Sequence, residues 1–476
     1  MRSVSLTRVF VALICLSQHQ AGTVFGQVTE VDSIHQYVLS EMARKRIPGV
    51  SVAVLRGDSI LLARGYGFSN LELRAAASDS TVYQSGSLGK QFTSALVLML
   101  AQQGRFKLDD RIVRWFPEGS GVWDSVTIRH LLTHTSGIHE YTDSTFDYRR
   151  DRSEDELVRF AGSRPLDFSP GERWAYSNTG YVLLGVLVHR VTGRFYGDLL
   201  QELIFRPLGM HSSRIISEAD IVPHRAAGYE ISDGRVANQS WVAPSLNTTA
   251  DGSLYLTVRD LARWAVSLNH ARIPDSAAMR AAWTPVRLKS GGLYPYGFGW
   301  NLLPQRGHPR VGHTGSWQGF KTALYRYPEF GVTVIVLANL AQSEPGMIAE
   351  AIAGMLEPAL QPPHRLAGML PGVRPPASFP SLLTGISAGT SNDRVTPGLR
   401  HALTEDWRED LAHTARTVKA WRTLGCDEVR NRHMQWLSAQ IERVCYYAGN
   451  DRDGDMVAAV FFTPEWRVAH LELSRY

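Results

Sequence analysis

Ser87 and Lys90 stand three residues apart at the head of an apolar stretch, which places a candidate nucleophile beside a candidate base. The segment Gly86-Ser87-Leu88-Gly89-Lys90 runs into Gln91-Phe92-Thr93-Ser94-Ala95-Leu96-Val97-Leu98-Met99-Leu100, apolar nearly all round until Gly104. That pattern predicts a buried helix. With Ser87 at or near its N-terminus, unpaired N–H groups and the positive end of the dipole favour developing negative charge. The spacing sets amine and hydroxyl on one helix face. A buried lysine loses its charge readily and then accepts the serine proton. Alone the pair is a weak signal. With six lysines against 44 arginines, Ser-x-x-Lys arises by chance about 0.3–0.5 times. The plain alternative is an N-capping serine with a solvated lysine.

Two further elements carry compatible chemistry. Trp174-Ala175-Tyr176-Ser177-Asn178 follows the turn Pro170-Gly171-Glu172. Tyr176 can shuttle a proton if nearby cations lower its pKa, and Asn178 offers a donor and an acceptor for a substrate amide. Read alone, this is more often a loop with a core tyrosine. His313-Thr314-Gly315-Ser316 alternates as on a sheet edge, and Gly315 admits close approach to the backbone. A lone histidine is ordinarily structural; three such elements in one chain are harder to ascribe to chance.

The elements that must position them are legible in outline. Val31, Ile34, Tyr37, Val38 and Met42 recur at helical spacing before Pro48-Gly49. Strand-like runs follow at Val50 to Leu55 and Ile60 to Ala63, and a second pair at Thr322 to Tyr327 and Val332 to Leu337, then a helix at about Gly346 to Leu356. Residues 80–300 read mostly as helices, loops and turns. The expected fold is α+β: an antiparallel sheet built from both ends of the catalytic region, flanked by helices, with a helical subdomain inserted and a cleft between the two. Residues 27–360 would form this unit, 361–400 a Pro/Gly/Ser/Thr-rich linker, and 401–476 a small α+β module with a helix at about Thr404 to Leu424 and two or three strands.

Composition narrows the classes. The chain has 476 residues, 44% hydrophobic and 20% charged, ordinary for a globular protein with a real core. Residues 1–26 read as a secretory signal: Arg2 and Arg8, the apolar Val9 to Leu16, and a small-residue cleavage site before Gln27. The apolar run is too short to span a bilayer. Removing two arginines and no acid takes the formal charge from +5 to +3, too weak and diffuse for nucleic acid. The mature chain is therefore expected to be secreted or periplasmic, without an integral membrane span, working on a small-molecule or peptide substrate. Cys15 leaves with the signal, and Cys426 with Cys445 are either a disulfide or two buried thiols.

Ser87-x-x-Lys90, Tyr176-Ser177-Asn178 and His313-Thr314-Gly315 resemble the three active-site elements of the penicillin-recognising serine hydrolases, a sister version of the motif set known from class A enzymes. The class C β-lactamase-like branch is most similar, with its D-alanyl-D-alanine carboxypeptidase, D-aminopeptidase and esterase relatives. Flanking text agrees: His130-Leu131-Leu132-Thr133-His134-Thr135-Ser136-Gly137, Pro207-Leu208-Gly209-Met210 and Tyr296-Gly297-Phe298-Gly299-Trp300. The resemblance covers about residues 30–360 and implies a β-lactamase/DD-peptidase-like fold. It implies Ser87 as acylated nucleophile, Lys90 and Tyr176 sharing acid–base duty, and the N–H groups of Ser87 and Ser316 as oxyanion hole. Asn178 would hold the substrate amide and His313-Thr314-Gly315 its other edge. The substrate would be an amide, ester, β-lactam or D-amino-acid peptide, with no cofactor and no metal. One departure matters: many β-lactamases of this group carry lysine where His313 stands, and a neutral imidazole attracts a carboxylate less. The reading from another class is a non-catalytic binding or sensor protein on this scaffold.

Three decoys fail on context. Gly385-x-Ser387-x-Gly389 matches a nucleophile elbow but sits in the Pro-rich stretch. His130, His134 and His139 lack a zinc-binding pattern and read as structural. Asp451, Asp453 and Asp455 fail the calcium-loop pattern, and Asp453-Gly454 reads as a hairpin turn.

Overall fold

A computed structural model describes residues 30–142, 146–271, 273–361, 378–391, 393–403, 405–428, 439–451 and 454–475. The expected signal segment, Pro362-Pro363, Pro375-Pro376 and Asp453 lie outside the described residues.

Strand β1 (Gly49–Arg56) is buried along seven of its eight residues because both faces of its sheet are covered. Its side chains alternate between two cores: Ala53 and Leu55 enter one, Val50, Val52 and Val54 the other. On one side it pairs with β2 (Ser59–Asn70), which continues to a short β3 (Ala75–Ala76). The remaining strands come from far along the chain: β4 (Val311–Trp317), β5 (Phe320–Tyr327) and β6 (Val332–Ala338). The order is β4-β5-β6-β1-β2-β3, and β1 closes the two ends of the chain on each other in the antiparallel register Val52↔Val336. Helix α1 (Glu30–Lys45), through Ile34, Val38 and Met42, packs on one face.

The larger core lies on the opposite face, where α2 (Lys90–Gln102) is buried all round, as its apolar pattern requires. Helix α3 (Asn178–Thr192) packs against α2. Ser177 caps it by accepting from Gly180 N (3.0 Å), and Gly193 ends it with φ 70°. Helix α4 (Pro345–Leu356) returns to the first face beside α1.

Beyond residue 377 the structure departs from the expected linker. Residues within 361–400 form α5 (Phe379–Ser387) and reach α6 (Pro397–Ala402), whose Phe379, Leu382, Leu383, Ile386 and Leu399 join the module's own core. The decoy Ser387 ends α5 with its hydroxyl on Thr384 O (3.0 Å); it turns no strand into a helix. The predicted helix over 404–424 is α7 (Glu405–Thr417), and its last third is instead strand β7 (Lys419–Glu428). Pairing overrides helix propensity there: β7 joins β8 (Arg443–Asp451), β9 (Gly454–Phe462) and β10 (Val468–Arg475) in an antiparallel four-stranded sheet. Cys426 and Cys445 face each other across β7 and β8 and form a disulfide.

Candidate active site

Three glycines let three distant segments converge on Ser87. Gly86 opens a single 3₁₀ turn (Gly86–Gly89) with φ 52°, and a Cβ there would lie 2.4 Å from Ser316 N. A Cβ on Gly315 would lie 2.0 Å from Ser85 O, and one on Gly252 2.8 Å from Ser87 N. Any side chain at these positions would push apart the strand β4, the turn and the 251–253 loop. The 3₁₀ turn passes directly into α2, so Ser87 and Lys90 share a face as predicted.

Lys90 is fully buried, and its amine is fully committed. It donates to Ser87 Oγ (3.1 Å), Asn178 Oδ1 (2.8 Å) and the Asp251 carbonyl (2.6 Å). Burial lowers its pKa to about 8 against the opposing pull of Asp251 and Glu140. Lys90 Nζ also stands 4.9 Å above the Tyr176 ring. The Tyr176 hydroxyl is buried next to Ser87, without a well-formed hydrogen bond. Burial drives its pKa well above the phenol range, only partly offset by Ser87. The expectation that neighbouring cations would lower it therefore fails for the resting site: desolvation dominates, and Tyr181, Asp251 and Glu140 push in the same direction. In the resting site Lys90 therefore loses its proton more easily than Tyr176 does.

Strand β4 is the edge of the sheet. Gly312 spends both its N–H and its carbonyl on Asn301 (3.0 and 2.7 Å), outside the β4–β5 ladder. With a period of two, Thr314 and Ser316 present their backbone groups to the same open side. This brings the Ser316 N–H to the Gly86–Ser87 peptide, where the oxyanion hole was expected.

All eight sequence-predicted residues come together. Ser87, Tyr176, His313, Thr314, Gly315 and Ser316 line one cleft of about 970 Å³. Asn178 lies with Ser87, Tyr176 and Ser316 around an adjoining hollow of about 320 Å³. Asn178 gives its amide oxygen to Lys90, so only its NH₂ remains for a substrate carbonyl. The three histidines weighed as a cluster are each engaged elsewhere. His130 Nδ1 accepts from Thr127 N (3.2 Å), His134 Nδ1 accepts from Ser177 N (3.1 Å), and His139 bridges Asp167 and Arg164 (2.9 and 2.8 Å).

Sequence reasoning missed several residues. Asp251 supplies the carbonyl for Lys90 and takes Tyr141 Oη on its carboxylate (3.0 Å); Glu140 accepts the Asn178 N–H (2.6 Å). The Asp251-Gly252 pair is a turn signal that could have pointed to that loop. The cleft also borrows a wall from the C-terminal module, including Trp407, His413, Leu471 and Glu472. No motif announces these.

The beta-lactamase family pattern matches residues 34–356. Penicillin-binding protein 4* of Bacillus subtilis (strain 168) is 31% identical over 310 residues, 61% of this chain and 67% of that protein. The D-aminopeptidase of Gluconobacter oxydans (strain 621H) is 26% identical over 380 residues, 77% of this chain and 69% of that one. Among solved structures, the octameric penicillin-binding protein homologue from Pyrococcus abyssi superposes with TM-score 0.63 at 22% identity, over 94% of this chain and 99% of that one. The D-amino acid amidase from Ochrobactrum anthropi SV3 gives 0.59 at 24% identity, over 70% of this chain and 98% of that one. These likenesses show a shared fold, which for the Pyrococcus abyssi protein covers 94% of this chain. The chain belongs to the beta-lactamase family and is a serine hydrolase.

Proposed function

We propose that the protein hydrolyses short D-amino-acid amides or peptides through an acyl-enzyme on Ser87. The observation that carries this is the Lys90 amine, buried, 3.1 Å from Ser87 Oγ and with its pKa brought to about 8. Neutral Lys90 takes the Ser87 proton as Oγ attacks the carbonyl carbon. The backbone N–H groups of Ser87 and Ser316 hold the oxyanion. As the C–N bond breaks, the Tyr176 hydroxyl protonates the leaving amine and recovers a proton from Lys90. Water then attacks the acyl-enzyme, gives one proton to the same pair, and releases the acid with Ser87 restored. Asn178 Nδ2 and the open edge of β4 position the acyl part.

The amide preference over a β-lactam rests on the aminopeptidase and amidase likenesses and on His313, which burial keeps neutral. Export is part of the proposal: the Cys426–Cys445 disulfide suits an oxidising compartment, and among the described residues no helix is long and apolar enough to cross a membrane. N-terminal sequencing of the exported protein should find Gln27 first. The main test is intact mass beside turnover, with D-phenylalanine amide and a reporter penicillin, in wild type and Ser87→Ala. Amide turnover lost in the variant supports the proposal. Rapid penicillin turnover with an inert amide would make the protein a β-lactamase and refute the substrate assignment.

A further inference from the structure

Tyr296-Gly297-Phe298-Gly299-Trp300 stood out in the sequence without acquiring a role, and the structure places it beneath the third active-site element. The segment folds back on itself by Gly297 N to Trp300 O (2.8 Å) and an isolated bridge between Tyr296 and Asn301. Asn301 is in turn hydrogen-bonded to Gly312, one residue before His313. Gly299, at φ 75°, presses on the Lys90 carbonyl, where a Cβ would lie 2.7 Å away. Tyr296 is thus carried on a short loop stitched both to β4 and to the base of α2.

Its hydroxyl meets one ring nitrogen of His313, while the other faces a backbone carbonyl. The ring's Nδ1 lies 2.5 Å from the Thr314 carbonyl, and its Nε2 lies 2.9 Å from Tyr296 Oη. A carbonyl only accepts, so Nδ1 carries the proton. Burial brings the His313 pKa down to about 4, so at neutral pH the ring holds that one proton. Nε2 is then a lone pair, and the Tyr296 O–H donates to it. Tyr296 is itself buried, and burial keeps its phenol protonated. The titratable groups facing this ring are Lys90, Tyr176, His134 and Tyr296. Neither nitrogen retains an N–H for the cleft. The other cations lining the cleft face acids of their own: Arg310 pairs with Glu350, and Lys321 feels Glu344.

We infer that Tyr296 is a positioning residue that holds His313 as the neutral Nδ1–H tautomer, so that this edge of the cleft selects substrates with an uncharged group there over those bearing a carboxylate. The selectivity half of this inference rests on the amide-hydrolase reading above; the tautomer half does not. Two measurements separate them. The first is ring ¹⁵N NMR of the intact protein, with His313 assigned by difference from His313→Gln. A neutral ring protonated on Nδ1 near neutral pH is the expected result, and a proton on Nε2 or an imidazolium there overturns the inference without any turnover being needed. The second compares one D-aminoacyl dipeptide as its carboxamide and as its free acid. Wild type should favour the carboxamide. Tyr296→Phe removes the donor and lets water solvate an imidazolium, so His313 should titrate higher. The acid-to-carboxamide ratio of kcat/KM should then rise about tenfold at mildly acidic pH. Equal losses on both substrates, with the ratio unmoved, would make Tyr296 merely structural and sink the inference. If wild type cleaves neither substrate while the NMR result holds, it is the amide-hydrolase reading that has failed.

Discussion

The two ends of the cleft are built by opposite means. Around Ser87 the catalytic groups lie on segments of a few residues each, brought together by close backbone contacts at Gly86, Gly252 and Gly315. At the other end, Trp407, Leu471 and Glu472 come from a module with its own four-stranded sheet, its own core and a disulfide. The near end holds a buried amine that makes three hydrogen bonds of 2.6–3.1 Å. The far end presents a helix face, the edge strand β10 and Met456 of β9. Chemistry that moves a proton needs the first kind of construction; a wall that bounds a substrate needs only the second. Changes at the near end should therefore act on kcat, and changes at the far end on KM and stability.

The largest effect is expected at Lys90. Lys90→Ala should lower kcat/KM by about 10²–10⁴-fold, the range for losing a positioned general base. In wild type, kcat/KM should rise with pH through about 8, because the amine must shed its proton before it can accept the one from Ser87. The profile of the residual activity should lack that limb. A wild-type limb centred near neutrality would transfer the base role to another group. Gly86→Ala comes next. It forces a Cβ at a positive φ against Ser316 N and displaces one oxyanion donor, so kcat should fall about 10²-fold while KM moves little. A pure KM effect would break the division between the two ends.

How much of this could be read from the chain follows the same division. The hydrolase motifs were legible because each packs its chemistry into a few consecutive residues: Ser87 to Lys90, Tyr176 to Asn178, His313 to Ser316. The strand runs of β1 and β6 and the buried character of α2 were also plain, since burial on both sides leaves a nearly unbroken apolar run. Asp251 was not legible: it contributes a main-chain carbonyl, and a carbonyl has no residue type. The split between helix and strand at 417–419 was lost because β7 is specified by its partner across the sheet rather than by its own residues. Glu472 joins the cleft only through the docking of β10, a contact between residues 306 and 472 that no local pattern encodes.

A smaller effect, on stability alone, tests whether the far end is an independent construction. Replacing Cys426 and Cys445 together by serine opens a link between residues 19 apart in sequence. The module should lose about 3 kcal/mol, read by denaturant unfolding. With the folded state still populated, kcat should be retained. A kcat that falls with the disulfide intact in wild type and broken in the variant would mean that the module supports the catalytic geometry directly.

Glu472 sharpens the comparison furthest, although its effect on activity should be the smallest. Its carboxylate accepts the Arg306 N–H (3.3 Å), and burial raises its pKa to about 8 in spite of Arg310 and Arg306 nearby. The unfolded chain releases this proton near the ordinary glutamate value, whereas the folded protein keeps it until about pH 8. The folded state is therefore favoured by the bound proton at low pH, and that contribution is lost as pH rises through this window. This is the reverse of an ion-paired surface carboxylate, which stabilises more as pH rises. Glu472→Gln is neutral throughout, so thermal unfolding should find it equal to wild type at about pH 4 and progressively more stable as pH rises to about 8. Equal pH dependence in the two proteins would mean that Glu472 meets solvent and that β10 does not close the cleft. A stabilised variant with unchanged kcat would locate the strain of a buried acid in the wall, apart from the machinery around Ser87, as the different construction of the two ends requires.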